Sequence, residues 1–256
     1  MTPPDTNELD CLVAARGSEI ATFRDEQEGV WSMVNLAYLA SRHLVVAAAT
    51  CRHAGAAHST DPHRLMMWYT LLDYQMESFL LIVARRLGAG VALLRLASEL
   101  ARDVSRIGTD EARVATWMAR HSSKQDRRRY RQEFVFEDGD RIEAYVHQLY
   151  DLASNQGVHG HVLDSGHSVP TATSPDGAFL KLEIPDVVVY KTLAIWLAAA
   201  FPLNELCART FRCFNGGDLT EAYTGFKEGW AAFDGAFEAY RESLRKMHAD
   251  IVGAIH

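Results

Sequence analysis

The sequence predicts an all-α bundle of seven or eight helices with one small β-hairpin near residues 168–184. Three observations predict it. Apolar residues recur at helical spacing over most of the chain. Tyr223, Phe226, Trp230, Phe233, Phe237, Tyr240, Leu244 and Met247 repeat in steps of three and four without a miss. Strand-like alternation is confined to one place, where Leu180, Leu182 and Ile184 alternate with Lys181 and Glu183 behind a Pro175-Asp176-Gly177 turn. A chain of 256 residues can bury a substantial core as one domain, with subdomains at 1–135 and 136–256 as the alternative.

Residues 7–25 carry Leu9, Leu12, Val13, Ile20 and Phe23 on a modest apolar face. Residues 27–54 are apolar nearly all round, from Trp31 through Leu39 to Val46, which predicts a buried helix. Asn35, Arg42 and His43 in it are then expected to have partners, because an unpaired polar group in a core is costly. Asp61 and Pro62 open a third helix that runs to about Leu87, where Gly88 and Gly90 are expected to break it. The fourth, Val91 to Ile107, bears Arg95, Glu99 and Arg102 along one side. A short helix to His121 and a basic helix over 124–134 follow.

Asp140 and Glu143 form a capping-box start for the next helix. Ile142, Tyr145, Val146, Leu149, Leu152 and Ala153 make its core stripe, while Glu143, His147, Tyr150, Asp151 and Ser154 share another face. Gly157 ends it. Pro185 opens a helix that should reach about Phe214, kinked or divided at Pro202. From Asp218 the aromatic repeat predicts a helix of about 28 residues, roughly 40 Å long. Its seam must pack on other helices, within the chain or across a homodimer formed through residues 218–248.

Hydrophobic content of 48% and charged content of 23% are ordinary globular values, and a net charge of −7 argues against a surface that coats nucleic acid. Cys11, Cys51, Cys207 and Cys213 show no C-x-x-C pairing, which fits free thiols in a reducing cytoplasm. No basic region precedes an apolar run at the N-terminus, so no secretory leader is expected, and no stretch reads as membrane-spanning.

Three chemistries can be drawn from the residues. His159, His161, Asp164 and His167 offer imidazole and carboxylate to a divalent metal, and alternate residues of an extended segment face the same way. An unmetallated loop explains the same residues, and no other cofactor is expected. An Arg and a His with four to six residues between them mark metal-independent ribonucleases of the HEPN type (higher eukaryotes and prokaryotes nucleotide-binding). Arg52/His58, Arg141/His147 and Arg241/His248 fit, but the composition alone supplies about three such pairs. Arg120, Lys124, Arg127, Arg128, Arg129 and Arg131, with Tyr130 among them, could contact phosphates and stack on a base. A solvated charged helix accounts for them too. No phosphate-binding glycine loop is present, and Ser154 and Ser165 lack a nucleophile-elbow setting.

The segments Leu93–Leu100, Trp117, Tyr130–Phe134 and Leu149–Ser154, leading to Val158-His159-Gly160, resemble a group of uncharacterised bacterial all-helical proteins, some related to HEPN-like domains. The resemblance covers roughly residues 90–165 and carries no assigned reaction. It implies that Arg95, Glu99, Ser154 and His159 come together, which a network between two packed helices would also explain. The reading is therefore a non-catalytic ligand- or partner-binding protein, its pocket bordered by His147, Asp151, Ser154, His159 and His161 and neighboured by Arg95 and Glu99. The alternatives are a HEPN-like ribonuclease using Arg141, His147 and His159, and a metal-dependent hydrolase built on His159, His161 and His167.

Overall fold

The structure is a computed structural model that describes residues 7–51, 58–137, 140–155, 169–173, 180–183, 186–211 and 220–253. The fold is all-α. Nine helices occur among the described residues, against the seven or eight expected: α1 (Asn7–Glu26), α2 (Glu28–Cys51), α3 (Asp61–Val83), α4 (Leu87–Ile107), α5 (Glu111–Ala119), α6 (Lys124–Glu133), α7 (Arg141–Ala153), α8 (Asp186–Ala208) and α9 (Thr220–Gly253). The two short helices, α5 and α6, each carry their own N-cap. The Asp110 carboxylate accepts from the Ala112 and Arg113 amides, and Ser123 Oγ accepts from the Asp126 amide. Between α7 and α8, Val169–Thr173 and Leu180–Glu183 pair antiparallel, Val169 opposite Glu183 and Thr173 opposite Leu180. No helix of the described residues is long and apolar enough to cross a membrane.

α8 is the central strut, packed against α2, α3, α4, α7 and α9. Leu193, Trp196, Leu197, Ala199, Ala200, Phe201 and Leu203 are all buried, as a helix surrounded on most sides requires. Pro202 lies inside it and does not divide it. The helix ends at Ala208 rather than near Phe214. Where α8 meets α3, a chain of polar groups is fully satisfied. Trp68 Nε1 donates to Asn204 Oδ1 (2.8 Å), Asn204 Nδ2 donates to Gln75 Oε1 (2.9 Å), and Trp196 Nε1 donates to the Gln75 carbonyl (2.7 Å). Such a network fixes the register of two helices that apolar contact alone would leave free to slide.

α3 and α4 form the closest antiparallel pair. The expected break at Gly88 and Gly90 is corrected: the chain reverses at Arg85, whose φ is 57°, and both glycines lie inside α4. Gly90 serves close approach. A Cβ there would stand 2.7 Å from Ile82 Cγ1 and 2.9 Å from the Ser78 carbonyl, and Ser78 Oγ donates to the Gly90 carbonyl (2.7 Å). A second correction concerns α2. It buries one side through Val34, Ala37, Leu44, Val45 and Ala48 and exposes the other, where Asn35, Arg42 and His43 stand in solvent beside a half-exposed Leu39 (50%). α2 packs on α1, α3, α8 and α9 and leaves Leu39 and Val46 exposed on its outer side.

The far side of α4 is polar and buried. Arg102 Nε and Nη2 donate to Asp103 Oδ1 (2.9 and 2.7 Å), while Trp117 Nε1 and the Tyr130 hydroxyl donate to Oδ2 (3.0 and 2.7 Å). Burial pushes the Asp103 carboxyl up, against the pull of Arg102 and these donors. One turn on, Arg106 pairs with Glu143 of α7 and with Glu137 (2.5 Å), and the Glu137 amide donates to Glu143 Oε1 (2.8 Å). α5, α6, residues 134–137 and α7 are all tied to α4 through these groups.

Gly90 and Gly235 make opposed predictions. Gly90→Ala overpacks the α3–α4 contact and should lower unfolding stability by about 1–3 kcal/mol. Gly235→Ala adds a methyl to open space in α9 and should raise it by about 0.5–1 kcal/mol. Urea midpoints of the two variants should move in opposite directions; movement in the same direction contradicts the packing.

Candidate functional site

The aromatic seam of α9 packs inside the chain, on α2 and α8. Phe201 of α8 is its centre, with ring centroids 5.2 Å from Phe226, 5.0 Å from Phe233 and 5.8 Å from Trp230, the last nearly parallel at 15°. The Tyr240 hydroxyl donates to the Tyr190 carbonyl (3.1 Å) and that of Tyr223 to Glu205 Oε1 (2.7 Å). The helix is 34 residues long, against the 28 expected.

α9 does not bury all its aromatics. α7 lies on α4 and α8, α9 lies on α2 and α8, and the two flank α8 without closing over it. Small residues widen the gap: Ala144 on α7, Ala198 and Pro202 on α8. The result is a groove of about 780 Å³. Leu197 and Phe201 form its floor, Trp230, Phe233 and Phe237 one wall, Ile142 and Tyr145 the other. Arg141, Gln148, Asp234, Glu238 and Arg241 stand at its rim.

The charges at that rim are unequal in commitment. Trp230 Nε1 donates to Asp234 Oδ1 (3.1 Å), and Arg241 pairs with Glu238 (2.5 Å) while lying over the Phe237 ring (5.8 Å). Arg141 is exposed and has no hydrogen-bond or ion-pair partner among the described residues. Burial raises the Tyr145 phenol, with Arg241 pulling it down and Asp234 pushing it up, so all three sense one another across the groove. The phenol is a neutral donor at physiological pH.

Arg141 is placed by its neighbour. Asp140 caps α7, accepting from the Ile142 and Glu143 amides (2.8 and 3.1 Å), and receives both Arg209 nitrogens (2.7 and 2.6 Å) from just beyond α8. The bidentate pair pins the start of α7 to the end of α8.

The residues singled out from sequence divide into three groups. Arg95, Glu99, His147 and Tyr150 gather around the α4–α7 seam. Arg95 pairs with Glu99 (2.8 Å) and lies over Tyr150 (5.4 Å), while the His147 ring stacks on Phe136 (4.7 Å, 13°), with Nε2 3.7 Å from Asp151. Phe136 also touches Tyr150, at 5.4 Å. Glu143, expected on this polar face, points inward to Arg106 instead; Asp151 is exposed and Ser154 Oγ is buried. Second, Arg141 and His147 lie on different sides of α7, about 120° apart by helical geometry. Arg141 lines the groove, and Arg241 lines its opposite wall. Third, His159, His161, Asp164 and His167, and Arg52, lie outside the described residues. Among the described residues no cluster of three metal-ligating groups occurs.

On α6, Lys124, Arg127, Arg128 and Arg131 are exposed, Arg129 pairs with Glu133 (2.6 Å), and Arg120 stacks over Trp117 (3.7 Å). The expectation that Tyr130 stacks on a base is corrected. Its hydroxyl is held between Arg102 and Asp103 and its ring stacks on Phe134 (4.8 Å).

Comparison with protein-family models, with curated proteins and with solved structures gives no match. The groove's residues were missed from sequence because Tyr145 and the α9 aromatics read as core. Tyr145 is 37% exposed. The available signal was the excess of aromatics on α9 over what one seam can cover.

The clamp at Asp140 predicts a pH effect. Arg209 holds the Asp140 carboxyl below its usual value. A carboxylate lowered on folding adds stability that is complete above its unfolded value of about 3.9 and is lost as pH falls through the lower folded value. Asp140→Asn retains a good cap and should remove this part of the acid-side loss. Asp140→Ala should in addition lose about 1 kcal/mol at pH 7. Denaturant titrations from pH 7 to pH 2.5 measure both; an unchanged acid limb in Asp140→Asn would rule out the clamp.

Proposed function

We propose that this chain is a non-catalytic binding protein whose ligand, a small apolar molecule, occupies the groove between α7, α8 and α9. The observation that carries this reading is the groove itself. Its volume lies within the range of small-molecule sites, and its floor and walls are aromatic with a few polar groups at the mouth. Among the described residues its lining includes no serine, cysteine, histidine or lysine, and its two carboxylates are engaged, Asp234 by Trp230 and Glu238 by Arg241. Of the polar groups expected to border a pocket, Arg95, paired with Glu99, lies over Tyr150 and joins α4 to α7, while His147 stacks on Phe136 beside Asp151. The helical scaffold suits this role, since sites between bundle helices are commonly formed by facing side chains.

A neutral solvatochromic dye tests the reading without reference to charge. Nile red should bind the wild-type chain with a blue-shifted emission. Ala144→Phe, which fills the groove from the α7 wall, should weaken that binding by about tenfold while leaving the urea midpoint in place. Equal binding by both proteins would place the apolar site elsewhere and end the proposal.

A further inference from the structure

We infer that the groove selects organic monoanions with a flat aromatic body, a single carboxylate resting on Arg141. This rests on the groove being the binding site and specifies what enters it. The body is set by the walls. Trp230 and Phe201 lie nearly parallel, and Phe237 and Tyr145 face the same space from either side. Broad rings in this arrangement favour a planar partner, which gains face and edge contacts that a flexible acyl chain does not.

The head group is set by the rim. Of its four charges, Asp234 is engaged by Trp230 and Glu238 by Arg241. Arg141 alone has no partner among the described residues. It therefore meets an incoming anion without breaking an existing pair, and the Tyr145 phenol and Gln148 amide stand on the same helix as further donors. A planar guanidinium accepts a carboxylate in two parallel hydrogen bonds. The two carboxylates across the groove limit the ligand's charge. Rim charges of two plus and two minus already sum to zero, so an anion meets only the local field of Arg141, and a dianion brings its second charge toward Asp234 and Glu238.

Isothermal titration with 1-naphthoate, its neutral isostere 1-naphthamide, the dianion naphthalene-1,8-dicarboxylate and the acyl monoanion decanoate separates these terms. 1-Naphthoate should bind wild type about tenfold more tightly than the amide, a charge-assisted contact being the difference. Arg141→Gln should abolish that preference, bringing naphthoate to the level of the amide and leaving the amide unchanged. Arg141→Lys should restore part of it. Arg141 is exposed and has no partner among the described residues, so the urea midpoint of these variants should not move. Decanoate and the dianion should both bind more weakly than naphthoate. Equal affinity for naphthoate and naphthamide, or a naphthoate affinity indifferent to Arg141→Gln, overturns the anion assignment. Decanoate binding as tightly as naphthoate overturns the aromatic one. If Nile red still binds in an Ala144-dependent way, the groove survives and only the ligand class fails; if it does not, both fail.

Discussion

The interaction on which the rest depends is the buried pairing of α4 with the chain that follows it. Arg102 and Asp103, with Tyr130 and Trp117, and Arg106 with Glu143 place four charges out of water, and the exposed Glu137 adds a second partner for Arg106. Buried ion pairs add little net stability against an apolar replacement, but losing one partner leaves a stranded charge at a cost of about 3–5 kcal/mol. The pairing thus acts as a selector. α7 can sit where Glu143 reaches Arg106 and in few other places. The buried Tyr130 hydroxyl, its pKa raised chiefly by burial, stays protonated and continues to donate to Asp103.

That selection opens the groove. α7 is drawn toward α4, away from α9, while α9 is drawn to α2 and α8 by its aromatic seam. Phe226 and Phe233 find full cover against Phe201, whereas Trp230 and Phe237 remain half-exposed. Small side chains on α7 and α8 then leave a space that no described residue fills. A cavity of this kind would be a cost in a purely structural bundle, where voids forfeit dispersion contacts. With Arg141 held at its mouth by the Asp140–Arg209 clamp, it has the features of a site in which a ligand supplies the missing contacts.

Much of the fold was legible in the sequence because its signals are local. The α9 repeat, the caps at Asp110, Ser123 and Asp140, and the apolar runs of α3, α4 and α8 all follow from residues within a turn or two of each other. What was not legible is relational. Glu143 looks like a solvent-facing partner of His147 until Arg106, 37 residues earlier, is placed beneath it. Gly90 looks like a helix breaker until Ser78 and Ile82 are seen to leave no room for a Cβ. α2 looks buried because hydropathy does not report that the bundle stops on one side of it. The groove was hidden for the same reason. Tyr145, Trp230 and Phe237 have the spacing of core residues, and only the separation of α7 from α9 turns them into walls. Arg141 drew notice from its spacing to His147, yet its place opposite Arg241 depends on three helices at once.

The five tryptophans offer the most direct view of the central claim, because Trp230 alone lines the groove while Trp68 and Trp196 are bonded inside the core. In a ¹H–¹⁵N spectrum with indole signals assigned by single Trp→Phe variants, titration with 1-naphthoate should shift the Trp230 Nε1–H resonance and leave those of Trp68 and Trp196 in place. A titration that leaves Trp230 unmoved, or that shifts Trp117 on the opposite side of α4 instead, would contradict the account.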